Sequence, residues 1–126
     1  MRIFAIKRFR SWANAHDLSD ELLCEAVDEI TRGLIEANLG GNLYKKRIAT
    51  KGRGKSGSVR TLLAYSANHR TIFLYAFEKS DRDNITPKEK AALQELGRFY
   101  LMLSDSELAQ RLESKAIIEV TRRKEK

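Results

Sequence analysis

The sequence predicts an α+β domain, with helices standing before and after an antiparallel sheet. Three observations carry that expectation. Apolar residues recur at helical spacing in the first third of the chain, the period changes to two after Gly40-Gly41, and two capping-box sequences open helices in the last third. With 126 residues, of which 42% are hydrophobic and 33% charged, the chain is expected to form one domain with a substantial core and a well-solvated surface.

Arg2 to Arg10 carries two patterns, Ile3, Phe4 and Ile6 suiting a strand and Phe9, Trp12 and Ala13 having helical spacing, and reads as a short strand running into a short helix. Asp17-Leu18-Ser19-Asp20 offers an N-cap. Leu23, Ala26, Val27, Ile30 and Leu34 then define a second helix that frays at Gly33, with Glu21, Glu25, Asp28 and Glu29 on its solvated face. Gly41 to Ala49 reads as a strand. Successive side chains alternate, so Lys45 and Arg47 share one side, and Tyr44, Lys46 and Ile48 the other. Val59 to Tyr65 and Thr71 to Phe77 continue the meander through a turn at Asn68. Alternation separates Leu62, Ile72 and Leu74 from Leu63, Tyr65, Phe73, Tyr75 and Phe77. Both sets are apolar, so both faces of the sheet need cover.

Thr86-Pro87-Lys88-Glu89 is a capping box with proline at the first helical position, and Leu93, Leu96, Phe99, Tyr100 and Leu103 supply the buried stripe. Ser104 to Glu107 repeats the spacing and opens a helix carrying Leu108 and Leu112. Ala116 to Thr121 is β-branched enough for a last strand, before a loose tail from Arg122 to Lys126.

The charge is local. Between Glu36 and Glu78 there is no acidic residue, while Lys45, Lys46, Arg47, Lys51, Arg53, Lys55, Arg60 and Arg70 fall there, enough to exceed the whole formal net charge of +7. With a pI near 9.7, this concentration favours a polyanionic partner, most simply nucleic acid. A single cysteine, Cys24, excludes an intramolecular disulfide and a cysteine zinc cluster. There is no signal-peptide core or membrane-length apolar run, so a cytoplasmic protein without a membrane partner is expected.

Gly54-Lys55-Ser56 imitates the end of a phosphate-binding loop, but Ala49 stands where that loop needs glycine and the next element is a strand rather than a helix. Nucleotide hydrolysis is therefore not expected. The glycines instead expose backbone amides and Lys51, Arg53 and Lys55 to an anion. His16 and His69 lie far apart in sequence, and the acidic pairs sit on solvated helices or around Ser80 to Asn84. What remains is a field of Lys and Arg with tyrosines nearby, and no metal or other cofactor is expected. Such a set suits RNA cleavage by the ribose 2′-OH: arginine forks stabilise a crowded phosphorane, and a lysine or tyrosine moves a proton. Composition alone favours plain phosphate binding over cleavage.

Leu43 to Ala49, then Lys51-Gly52-Arg53-Gly54-Lys55-Ser56-Gly57, then Arg60, then Phe73 to Lys79, resemble the RelE/HigB-like toxins of bacterial type II toxin-antitoxin modules. The resemblance covers Arg2 to Leu103. It implies a RelE-like fold with an N-terminal strand and two helices, a meander sheet and C-terminal helices, in a single domain over 1–126 with 104–126 as an extension of open role. It further implies a metal-independent mRNA endoribonuclease that acts on the translating ribosome and leaves a 2′,3′-cyclic phosphate, silenced by a cognate antitoxin. Carried over residue by residue, Arg60 is the transition-state ligand, Lys45 and Arg47 are the paired basic residues, and Lys79 closes the strand after the hairpin. Lys46, Lys51, Arg53, Lys55 and Arg82 contact RNA or ribosome. Some ribosome-dependent members carry an arginine just beyond the position of Lys79 and a tyrosine near the C-terminus. Here Ser80 follows Lys79, Arg82 comes slightly later, and no tyrosine follows Tyr100, leaving Tyr65, Tyr75 and Tyr100 as proton-transfer candidates that equally suit the core. The alternatives are a non-catalytic RNA- or ribosome-binding module and a ParE-like gyrase poison.

Overall fold

The structure is a computed structural model that describes residues 1–50 and 58–122. The basic loop residues Lys51, Arg53 and Lys55 lie outside the described residues. In chain order the elements are β1 (Arg2–Ile6), α1 (Lys7–Ala15), α2 (Asp20–Thr31), β2 (Ala37–Gly40), β3 (Leu43–Ala49), β4 (Ser58–Ser66), β5 (Arg70–Glu78), α3 (Pro87–Leu101), α4 (Asp105–Glu113) and β6 (Ile117–Val120).

The caps read from sequence operate as expected. Ser19 accepts from the Leu22 amide at the start of α2, and reciprocal Thr86/Glu89 and Ser104/Glu107 boxes open α3 and α4. Asn68 supplies the left-handed residue of the β4–β5 turn, with φ of 60°. The four-residue strand β2 is an addition to the sequence reading. It pairs with β3 from Ala37↔Lys45 to Gly40↔Leu43, and its short, glycine-ended sequence carries little periodic signal.

The six strands form one sheet in the order β2-β3-β4-β5-β1-β6. The meander is antiparallel, as expected, but β1 lies parallel to β5, which makes the sheet mixed. The segment after Ser104 supplies α4 and β6, and β6 pairs antiparallel with β1, where Arg2 forks onto Glu119 at 2.9 Å. Helices cover both faces. On one, Phe9 and Ala13 of α1 and Leu23, Val27 and Ile30 of α2 pack with Ile48, Val59, Leu63 and Phe73. On the other, Tyr100, Leu103 and Leu108 pack with Leu43, Leu62, Ala64, Ile72, Leu74 and Phe77. Gly97 lets α3 approach closely, since a Cβ there would meet the Ala64 Cβ at 2.8 Å.

One departure from strict alternation positions the site. The β4–β5 register runs Ala64↔Ile72 and Leu63↔Phe73, then shifts to Leu62↔Tyr75 and Arg60↔Phe77. The extra residue, Leu74, is a bulge. Tyr75 and Phe77 therefore join the face of Leu62 and Arg60, whereas alternation had grouped them with Leu63 and Phe73.

Candidate functional site: a basic sheet face between β3 and α3

Two rows of side chains cross the face of the sheet on which α3 packs, with Leu62 and Phe77 buried and Lys45 and Arg47 towards the β3 side. Lys45, Leu62 and Tyr75 form one row; Arg47, Arg60 and Phe77 form the next. Opposed residues share a face in antiparallel strands, so these six project to the same side. The structure thus brings together Lys45, Arg47 and Arg60, three of the four residues expected to be catalytic.

Arg60 and Arg47 stand directly opposite each other, an unfavourable like-charge pair unless an anion lies nearby. Part of that anion is internal. The Arg60 Nε lies 3.0 and 3.2 Å from the two oxygens of Glu36, which precedes β2, so the Arg60 side chain reaches across β3. The Arg60 side chain is only 8% exposed, and among the described residues its buried Nη1 has no hydrogen-bond partner. A buried guanidinium nitrogen left this way carries a desolvation cost that an incoming phosphate oxygen would relieve. Arg47 is exposed and makes no ion pair or hydrogen bond through its side chain among the described residues. A groove of about 600 Å³ opens beside it and runs round towards the Lys46–Glu29 pair on the other face, lined also by Leu34, Ile35, Glu36 and Ala49.

Lys45 anchors the other side of the site. Its Nζ donates to Asn84 Oδ1 at 3.3 Å, tying β3 to the loop before α3. In that loop Arg82 donates from Nε to the Asn84 carbonyl at 3.0 Å, and from its two terminal nitrogens to Glu89 at 2.7 and 3.1 Å. Its Nη1 also donates to the Tyr75 hydroxyl at 3.2 Å, and the guanidinium lies 5.7 Å from the Phe77 ring centre. These bonds occupy every Arg82 N–H except one on Nη2. The paired guanidinium holds the Glu89 carboxyl at about 2, with the Thr86 amide helping, and hydrogen bonds to Glu89 and Tyr75 raise Arg82 above its ordinary value.

The other expected residues lie apart. Lys46 projects to the opposite face, where its buried ammonium meets Glu29 at 2.6 Å and the Leu34 carbonyl at 2.9 Å. Lys79 is exposed in the turn that follows β5, two residues past Phe77, and so stands outside the paired rows. Both histidines cap or brace helices. His16 stacks on Trp12 at 3.7 Å and bonds its carbonyl, and His69 Nε2 lies 3.1 Å from the Leu101 carbonyl. Cys24 is buried, which pushes its thiol up. Tyr100 is buried and Tyr65 stands edge-on to Tyr44, leaving Tyr75 as the tyrosine that faces the basic set.

Glu36, Asn84 and Glu89 were not singled out as site residues by the sequence. Glu36 had a visible signal, since it is the last carboxylate before the acid-free interval. Glu89 was legible only as a cap. Asn84 carries no sequence signal. Among the described residues no group of three His, Cys, Asp or Glu side chains is placed to hold a metal ion, and no helix is long and apolar enough to cross a membrane.

Comparison with known proteins gives one family. The model of the RelE toxin of the RelE/RelB toxin-antitoxin system matches residues 1–120, so the match runs through β6. No curated protein matches the chain. With nearly the whole chain matched and the expected strand, helix and sheet order in place, the protein belongs to the RelE toxin family, as the toxin of a toxin-antitoxin module whose partner is a cognate antitoxin.

Proposed function

We propose that the protein is an endoribonuclease that cuts messenger RNA on the ribosome and thereby arrests translation. The observation that carries this reading is the opposed Arg47–Arg60 pair, with one buried guanidinium nitrogen unpartnered. Two arginines facing each other with incomplete neutralisation make a seat for one phosphodiester. A pentacovalent phosphorane carries more negative charge than the diester, so the same seat favours the transition state.

In this mechanism the ribose 2′-oxygen attacks the adjacent phosphorus and the 5′-oxygen of the next nucleotide leaves, giving a 2′,3′-cyclic phosphate. Arg60 binds the non-bridging oxygens. Arg47 and Lys45 hold the phosphate from the β3 side, and Lys79 extends the positive rim beyond β5. Lys51, Arg53 and Lys55 contact the RNA or ribosome. Lys46 and Arg82 support the site from internal ion pairs rather than as primary RNA ligands. No cofactor takes part.

The test is induction of the protein without its antitoxin, beside Arg60→Ala and Arg47→Ala variants, with primer-extension mapping of transcripts. Cleavage by the wild type and its loss in Arg60→Ala is the expected result. Equal cleavage by both would remove Arg60 from the mechanism. Arrest with intact transcripts would point to RNA or ribosome binding without scission, and arrest with broken DNA to a gyrase poison.

A further inference from the structure

The mechanism above leaves the 5′-oxygen without a proton donor. We infer that Tyr75 is the general acid that supplies it, an inference that rests on the endoribonuclease reading. Three observations converge on this residue. The bulge at Leu74 turns Tyr75 onto the face of Arg60, in the row Lys45–Leu62–Tyr75 and one residue pair away from Arg47–Arg60–Phe77. A phosphodiester seated over β4 therefore has arginine and lysine on its β3 side and the tyrosine on its β5 side. The phenol is half-buried, and its oxygen accepts from Arg82 Nη1 at 3.2 Å. That contact occupies an oxygen lone pair and leaves the O–H hydrogen free. Among the described residues that hydrogen has no acceptor.

Arg82 does for the phenol what a donor must have done for it. A phenol is a weak acid, and the phenolate it leaves behind needs a cation in contact. Arg82 provides one, and it is fixed: Glu89 holds its fork through two bonds and the Asn84 carbonyl holds its Nε. Glu89 is in turn fixed by its reciprocal bonds with Thr86 at the start of α3. Glu89, Asn84 and Arg82 are positioning residues, and Tyr75 is the catalytic one.

The step balances without another reagent. The O2′–P bond forms as the 2′-OH proton passes to solvent water. The P–O5′ bond breaks, the Tyr75 proton moves to O5′, and the phenolate is reprotonated from water.

A Tyr75→Phe variant keeps the ring and its packing and removes only the hydroxyl. Single-turnover cleavage is measured on ribosomes programmed with a synthetic message, either all-oxygen or carrying sulfur in place of the scissile 5′-oxygen. A thiolate leaves without a proton. On the oxygen substrate Tyr75→Phe is expected to be slower by about 10²- to 10⁴-fold, with message affinity unchanged. On the sulfur substrate it is expected to match the wild type within about threefold, a rescue that a merely structural role would not give. An oxygen-substrate rate within about threefold of wild type overturns the assignment, as does an equal deficit on both substrates. Wild-type protein that cuts neither message overturns the endoribonuclease reading itself, and this assignment with it.

Discussion

Replacing Gly97 by alanine tests how α3 is seated on the sheet. Two effects oppose each other. Alanine is the better helix former by about 0.8–1.0 kcal/mol, which favours the variant. Against that, the new Cβ would stand 2.8 Å from the Ala64 Cβ and 3.4 Å from Leu74 Cδ1. The Ala64 Cβ is fixed to a central strand and cannot rotate away, so α3 must lift, at a cost of about 1–3 kcal/mol for overpacking. The clash wins. A net loss of about 1 kcal/mol is expected, or roughly 3–5 °C in melting temperature for a chain of this size. The decisive measurement is a cycle with Ala64→Gly, followed by urea and thermal unfolding. With the Ala64 methyl gone, Gly97→Ala should become neutral or stabilising, because only the propensity gain remains. The same unfavourable change in both backgrounds would refute the steric reasoning. Because Glu89 rides on α3, the lifted helix should also loosen Arg82.

Other perturbations act on the site directly. Arg60→Ala should lower the cleavage rate by about 10²- to 10³-fold, the effect of losing one charge-stabilising donor, as read in single-turnover assays. Glu36→Gln removes the internal anion on Arg60. RNA binding should tighten, and its log–log salt slope should steepen by about 0.7 as Arg60 engages one more phosphate; anisotropy titrations across a salt series with an unchanged slope would contradict this. Glu89 is depressed from 4.5 to about 2 in the folded protein, so its contribution to stability is complete above 4.5 and is lost as pH falls towards about 2. Glu89→Gln can keep the capping box while removing that titration. Its melting temperature should therefore fall less steeply than the wild type's through that window, and parallel curves would show that the Arg82 contact carries no linkage.

Much of the fold was legible because its signals are local. Ser19, the Thr86/Glu89 and Ser104/Glu107 boxes and the helical spacing of Leu23, Val27 and Ile30 each act within a few residues. Pairing partners are not local: nothing in Ile3-Phe4-Ala5 states that this strand lies parallel to β5 while β6 closes on its other edge. The site divides the same way. Alternation alone placed Lys45 with Arg47 and turned Lys46 away, as the Lys46–Glu29 pair illustrates. It could not bring Glu36 to Arg60 or Asn84 to Lys45, since those contacts span 24 and 39 residues and depend on the finished sheet.

The bulge at Leu74 acts as a phase shift in the chain. Upstream of it, odd-numbered β5 residues face α1 and α2; downstream they face the basic site. Strict alternation counted along the strand is therefore one step out of phase from Tyr75 onward. Deleting Leu74 would make Phe73 and Tyr75 consecutive, so ordinary alternation would keep Tyr75 opposite Leu62 on the basic face, and the site should survive the loss of the bulge itself.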